Sequence, residues 1–130
     1  MNIYVSSKFS NKPTVKKIQK LLGLHGHHIT EDWTNNTNAY PCDKHQKSSR
    51  LNAVLDANAI RESDIFIYVT TKEAGIGSST EFGIALHALQ HNGKPEIYVV
   101  GKNLANNIFF FHPLVKRRNT IEQVIREISS

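Results

Sequence analysis

The sequence predicts an α/β fold: a single domain built on a five-stranded parallel sheet with helices on both faces. Three observations predict it. Five short runs rich in β-branched and aromatic residues recur along the chain, and segments with helical apolar spacing fall between them, the pattern of strand–helix–strand crossovers. One run, Ile65-Phe66-Ile67-Tyr68-Val69, shows no polar alternation, as expected of a strand buried on both faces. The 130 residues suffice for one sizeable core and not for two, and no repeat, linker or low-complexity tract divides them.

The first strand spans Asn2 to Ser6 and runs into a polar turn, Ser6 to Lys12. Pro13 then fits the first turn of a helix whose Val15, Ile18, Leu21 and Leu22 repeat at helical spacing, closed by Gly23 and Gly26. A second strand, His27 to Thr30, leads through Glu31-Asp32-Trp33 into a long loop, Thr34 to Lys47, of the kind that serves as a binding segment or lid. Ser48 or Ser49 caps the next helix, Arg50 to Glu62, with Leu51, Val54, Leu55 and Ile60 as its inner face. After the third strand, Gly75, Gly77 and the cluster Ser78-Ser79-Thr80 turn the chain into a helix carrying Phe82, Ala85, Leu86 and Leu89 inward, with Glu81 in its first turn. Asn92-Gly93-Lys94-Pro95 stops that helix, Glu96 to Val100 forms the fourth strand and Gly101 closes it. Leu104 to Asn107 is a short turn or helical piece and Ile108 to Phe111 the fifth strand. Thr120 caps a last helix bearing Ile121, Val124, Ile125 and Ile128.

The formal charge of +5 favours anionic partners. The cations are dispersed over three regions of the chain, however, and do not line one element with interleaved aromatics, which argues against a nucleic-acid polymer and for a small molecule, phosphorylated or not. No apolar run approaches the roughly 20 residues of a membrane span, so no membrane partner is expected. The opening Met1-Asn2-Ile3-Tyr4-Val5 lacks a basic segment followed by an apolar core, and a cytoplasmic protein is expected. The single Cys42 excludes an internal disulfide, in keeping with a reducing compartment, where the formal acceptor Asn35-Asn36-Thr37 has no bearing.

Two carboxylates stand out. Glu81 lies just beyond the carboxyl end of the central strand, the rim at which open α/β sheets bind ligands. Ser78-Ser79-Thr80-Glu81 also fits a capping box, in which the glutamate would only hold the helix end. Asp56 sits near the apolar face of the preceding helix, where a carboxyl is costly without a partner, although a solvated position is the plainer alternative. Two carboxyls opening on one pocket are the apparatus for breaking a glycosidic bond. His25-x-His27-His28 and Cys42-x-x-His45 offer no four-ligand spacing, and Cys42 has no base beside it, so neither a metal nor a cofactor is expected.

Ile3-Tyr4-Val5-Ser6-Ser7, Ile29-Thr30-Glu31-Asp32-Trp33, Asp56 eight residues before Asp64, and Gly77-Ser78-Ser79-Thr80-Glu81-Phe82-Gly83 stand in an order that resembles the nucleoside 2-deoxyribosyltransferase family. That family includes the related 2′-deoxynucleoside 5′-monophosphate N-hydrolases, and the resemblance spans nearly the whole chain. It implies a flavodoxin-like doubly wound sheet and double displacement at C1′, with Glu81 as nucleophile and Asp56 binding sugar hydroxyls and moving protons. It further implies that Ser6, Ser7 and Lys8 hold the sugar or its phosphate, that Trp33 lies near the base, and that Gly75, Gly77, Ser78 and Ser79 belong to the substrate-binding set. A homodimer or higher homo-oligomer is implied as well. The chain departs from the pattern at Gly75, where the family often has Asp or Ser, and in Ser7-Lys8-Phe9-Ser10-Asn11, which lacks the glycines of the monophosphate hydrolases. Two other readings stay open: a non-catalytic nucleotide-binding domain, and an NAD-cleaving domain resembling the Toll/interleukin-receptor fold.

Overall fold

In the computed structural model, which describes residues 1–36 and 40–129, the strands are β1 (Asn2–Ser7), β2 (His28–Ile29), β3 (Ile65–Val69), β4 (Glu96–Val100) and β5 (Val115–Arg118). The helices are α1 (Lys12–Leu24), α2 (Gln46–Glu62), α3 (Ile76–Asn92) and α4 (Ile121–Ser129). All four strand pairs are parallel and the sheet order is β2-β1-β3-β4-β5, the flavodoxin-like doubly wound arrangement. The core lies on both sides of the sheet. All five residues of β3 are buried, as its uninterrupted apolar run requires of a central strand.

Alternation along the strands assigns side chains to faces. Tyr4 and Ser6 of β1 pair in register with Phe66 and Tyr68 of β3, and Phe66 and Tyr68 pack on Phe82 of α3, so one face of the sheet carries an aromatic layer under α3. Helices α2 and α3 pack against each other. Tyr98 lies on the opposite face, in register with Ile67, and its hydroxyl donates to Glu127 of α4. Among the described residues no helix is long and apolar enough to cross a membrane.

Several sequence-based expectations need correction. Helix α2 begins at Gln46, not Arg50: the hydroxyls of Ser48 and Ser49 donate back to the carbonyls of His45 and Cys42, so neither serine caps the helix and the chain is helical through both. Its expected inner face is mostly outward, with Leu51, Val54 and Leu55 exposed while Ile60 alone of the four is buried. Ile108–Phe111 is a 3-10 turn, not a strand. The Asn107 side chain accepts from the Phe109 amide and Phe110 packs on both Tyr68 and Phe82. The fifth strand is Val115–Arg118, an edge strand whose Lys116 and Arg118 pair with Glu96 and Glu127. At the last helix, the Thr120 hydroxyl and the Gln123 side chain do form a reciprocal cap. The predicted loop over Thr34–Lys47 contains 3-10 turns at its start and at Cys42–Lys44; its residues 37–39, including the threonine of the formal glycosylation acceptor, lie outside the described residues.

Candidate active site

Strand periodicity and helix phase bring the two singled-out carboxylates to one cleft. Because α3 starts at Ile76 with Gly75 as its N-cap, Glu81 falls in the second turn, not the first, and points back over the end of β1. Tyr4 and Ser6, two apart on β1 and therefore on the same face, donate to its two carboxylate oxygens: Tyr4 Oη to Oε2, and Ser6 Oγ to Oε1 at 2.8 Å. The capping-box alternative does not describe this geometry. Ser78 lies inside the helix with its hydroxyl on the Gly75 carbonyl and the Tyr68 hydroxyl.

The cleft has a volume of about 560 Å³ and opens at the carboxyl ends of β1 and β3, the adjacent strands from which the chain departs in opposite directions. Glu81 and Asp56 both line it. Of the other sequence-predicted residues, Ser7, Lys8, Trp33, Gly75, Gly77 and Ser78 line it too. Ser6 reaches it through Glu81, and Ser79 is not among the lining residues, its hydroxyl donating to the Gly75 carbonyl at 2.7 Å. The Ser7 hydroxyl is turned to the Val69 carbonyl at 2.8 Å, and Trp33 is fixed by a 2.7 Å hydrogen bond from its indole N–H to the Val5 carbonyl.

The charges are unequal. Burial pushes the Glu81 carboxyl up from its ordinary range, while the hydroxyls of Tyr4 and Ser6 pull it back toward ionisation. Asp56 has no such donors on Oδ1, which is buried without a hydrogen-bond partner among the described residues. Burial, and then the charges of Glu81 and Glu31, push its carboxyl up to about 7. Burial first and the Glu81 charge second hold the Tyr4 hydroxyl protonated, as a fixed donor. The site therefore pairs a buried carboxyl, raised above its ordinary range but partly restored toward the charged form by two hydroxyl donors, with a carboxyl poised to hold or release a proton near neutrality.

Gly75 has a steric cause. A Cβ there would sit 2.8 Å from Ser78 Oγ and 3.0 Å from Lys8 Cα, so the loop after β1 occupies the space that a side chain would need. Lys8, brought in by that approach, is held by Glu73 at 3.4 Å, a pair open to solvent. An aromatic wall stands on the other side: Phe9 packs on Tyr40 with ring centroids 5.2 Å apart and on Trp33 at 6.2 Å. Sequence reasoning does not single out Tyr4, Phe9, Tyr40 or Asn52 as site residues. Tyr4 was legible from its two-residue spacing to Ser6, and Asn52 from its position four before Asp56 on one helix face. Among the described residues no group of three or more His, Cys, Asp or Glu could hold a metal ion.

No family model and no curated protein sequence matches the chain. Solved structures do. A CMP N-glycosidase from Clostridium botulinum superposes with a TM-score of 0.63 over 100% of both chains at 16% identity. A 2-deoxyribosyltransferase from Bacillus psychrosaccharolyticus gives 0.62 over 95% of this chain and 90% of its own, at 13% identity. The chain has the fold of these two enzymes. That agrees with the resemblance carried by the motifs from β1 to Glu81, and at such identities the likeness is one of architecture.

Proposed function

We propose that this protein is an N-glycosidase that cleaves or transfers the (deoxy)ribosyl–base bond of nucleosides or nucleoside monophosphates by double displacement. The observation that carries the reading is the Glu81 carboxylate, held by Tyr4 and Ser6 in the same cleft as a protonatable Asp56. A Glu81 oxygen attacks C1′ and the C1′–N bond breaks, its electron pair leaving with the base, which takes up a proton from Asp56. Water, or the nitrogen of a second base, then attacks C1′ of the glycosyl ester. The ionised Asp56 accepts the proton released, and Glu81 leaves as carboxylate. The two hydroxyl donors offset the negative charge that returns to Glu81 at this step.

The aromatic wall of Phe9, Trp33 and Tyr40 suits a flat base, and Lys8 suits a 5′-phosphate or a sugar hydroxyl. The names of the two structural neighbours, one acting on CMP and one a deoxyribosyltransferase, support this substrate class. We take the protein to act in the cytoplasm as a homo-oligomer, without a cofactor.

Chromatography of nucleosides, deoxynucleoside monophosphates and NAD incubated with the protein, with and without an added free base, tests the proposal. The parent is expected to release base from nucleosides or their monophosphates, and Glu81→Gln to lose release by at least about a thousandfold while keeping its fold. Equal release by the two proteins sinks the mechanism; release of nicotinamide alone would favour the NAD-cleaving reading.

A further inference from the structure

Many polar side chains around the cleft are already engaged by the protein itself. The hydroxyls of Ser7, Ser49 and Ser78 and the indole of Trp33 donate to backbone carbonyls, and Lys8 pairs with Glu73. Helix α2 differs. The Asn52 carboxamide makes no hydrogen bond with any described residue, and Asp56 leaves Oδ1 buried without one, although both residues line the cleft. These two groups on one helix face are left for a guest to satisfy.

Their spacing has a use. Four residues along a helix advance the chain by about 6 Å and rotate it by only about 40°, so the two side chains stand one above the other. Because α2 leads into the amino end of β3, its own amino end lies at the rim of the cleft, and Asn52 stands one turn nearer the mouth than Asp56. In the proposed reaction Asp56 protonates the leaving base, at an atom beside the glycosidic nitrogen. A base held there, with its flat face along Phe9 and Tyr40, reaches toward Asn52 with its opposite edge. A carboxamide carries a donor and an acceptor in one plane, and so can bind an exocyclic group and the adjacent ring nitrogen together.

We propose that Asn52 determines base specificity, its carboxamide reading the edge of the base opposite the glycosidic nitrogen. A half-turn of the amide exchanges donor and acceptor, so amino and keto bases are both admitted, while a base edge without such a pair leaves the amide unsatisfied. This assignment rests on the glycosidase reading, which sets the base between Asp56 and the mouth of the cleft.

Steady-state base release from two matched pairs, cytidine with uridine and adenosine with inosine, tests it. The parent is expected to use both members of a pair within about tenfold, and a larger preference overturns the two-way amide. Asn52→Asp, read on the alkaline side where the new carboxyl is ionised and can only accept, is expected to shift the kcat/KM ratio toward the amino member by about 10- to 100-fold. Any effect of the new charge on Asp56 is common to both members and cancels in that ratio. Asn52→Ala, which a helix accepts readily, is expected to raise KM by about 10- to 100-fold for both members alike, with near-ultraviolet circular dichroism unchanged. A ratio that Asn52→Asp leaves in place, or a KM that Asn52→Ala leaves in place, overturns the assignment. If the parent releases no base, the glycosidase reading fails on its own account, and the same pairs are titrated calorimetrically. The same shift in relative affinity then upholds the edge-reading role, whereas an unshifted ratio or no binding overturns it as well.

Discussion

Tyr4→Phe isolates what the site asks of Glu81. The ring of Tyr4 is fully buried and stacks on Phe66 with centroids 5.8 Å apart and planes 3° off parallel, so phenylalanine keeps the packing and deletes one donor. That donor favours the ionised carboxylate, and a hydrogen bond to a charged group is worth about 1.5–3 kcal/mol. Its loss therefore moves the Glu81 pKa further up and weakens ionisation by about 10- to 100-fold. The ionised fraction therefore falls at every pH below the new value and recovers above it. The assay is the pH profile of kcat/KM for base release. Its acid limb is expected to move upward, giving about a 10- to 100-fold loss on the acid side, while the alkaline limb, set by the proton that Asp56 must hold, stays in place. Ser6→Ala, which removes the donor to Oε1, should move the limb in the same direction. An acid limb that stays in place or moves down in Tyr4→Phe, with near-ultraviolet circular dichroism unchanged, refutes the assignment of Glu81 as the group that must be ionised.

Asp56→Asn should trade activity for stability. The folded pKa of Asp56, about 7, is raised above the ordinary 3.8, so its contribution to stability is fully present below about 3.8 and is lost as pH rises through about 7. Discounted for its partial exposure, the gain from Asp56→Asn should be about 1–2 kcal/mol larger at pH 8 than at pH 5, or roughly 3–8 °C in Tm; melts that shift equally at both pH values argue against it. Lys8→Gln should raise KM for a nucleoside monophosphate by about 10- to 100-fold and leave the parent nucleoside's KM little changed. An equal loss on both substrates removes the phosphate role. Gly75→Ala places a methyl group 2.8 Å from Ser78 Oγ and 3.0 Å from Lys8 Cα, and should cost about 1–3 kcal/mol in a denaturant titration while raising KM through displacement of the Lys8 loop. A variant as stable as the parent, with an unchanged KM, would mean that the loop yields freely.

What was legible in the sequence, and what was not, divides along a physical line. Strands β3 and β4 match their expected limits because each is an apolar run with a sharp boundary, Asp64 before one and Gly101 after the other. Strand β5 escaped because three of its four residues are cationic, a composition suited to an edge that must repel other strands and one that reads as loop. Ile108–Phe111 reads as a strand in its place because a buried Phe110 and the exposed Ile108, Phe109 and Phe111 form one apolar run until the Asn107 cap is seen. Helix α2 shows the deeper limit. Hydrophobic periodicity locates an apolar face, and the step from apolar to sheet-facing assumes that the other side meets water. Where a helix lines a substrate cleft that assumption inverts: the inward side must hold Asn52 and Asp56, and the aliphatic side is left for another surface. The same inversion ties α2 to the cleft, since its inward polar stripe, Asn52 and Asp56, lines the cavity that Glu81 also lines.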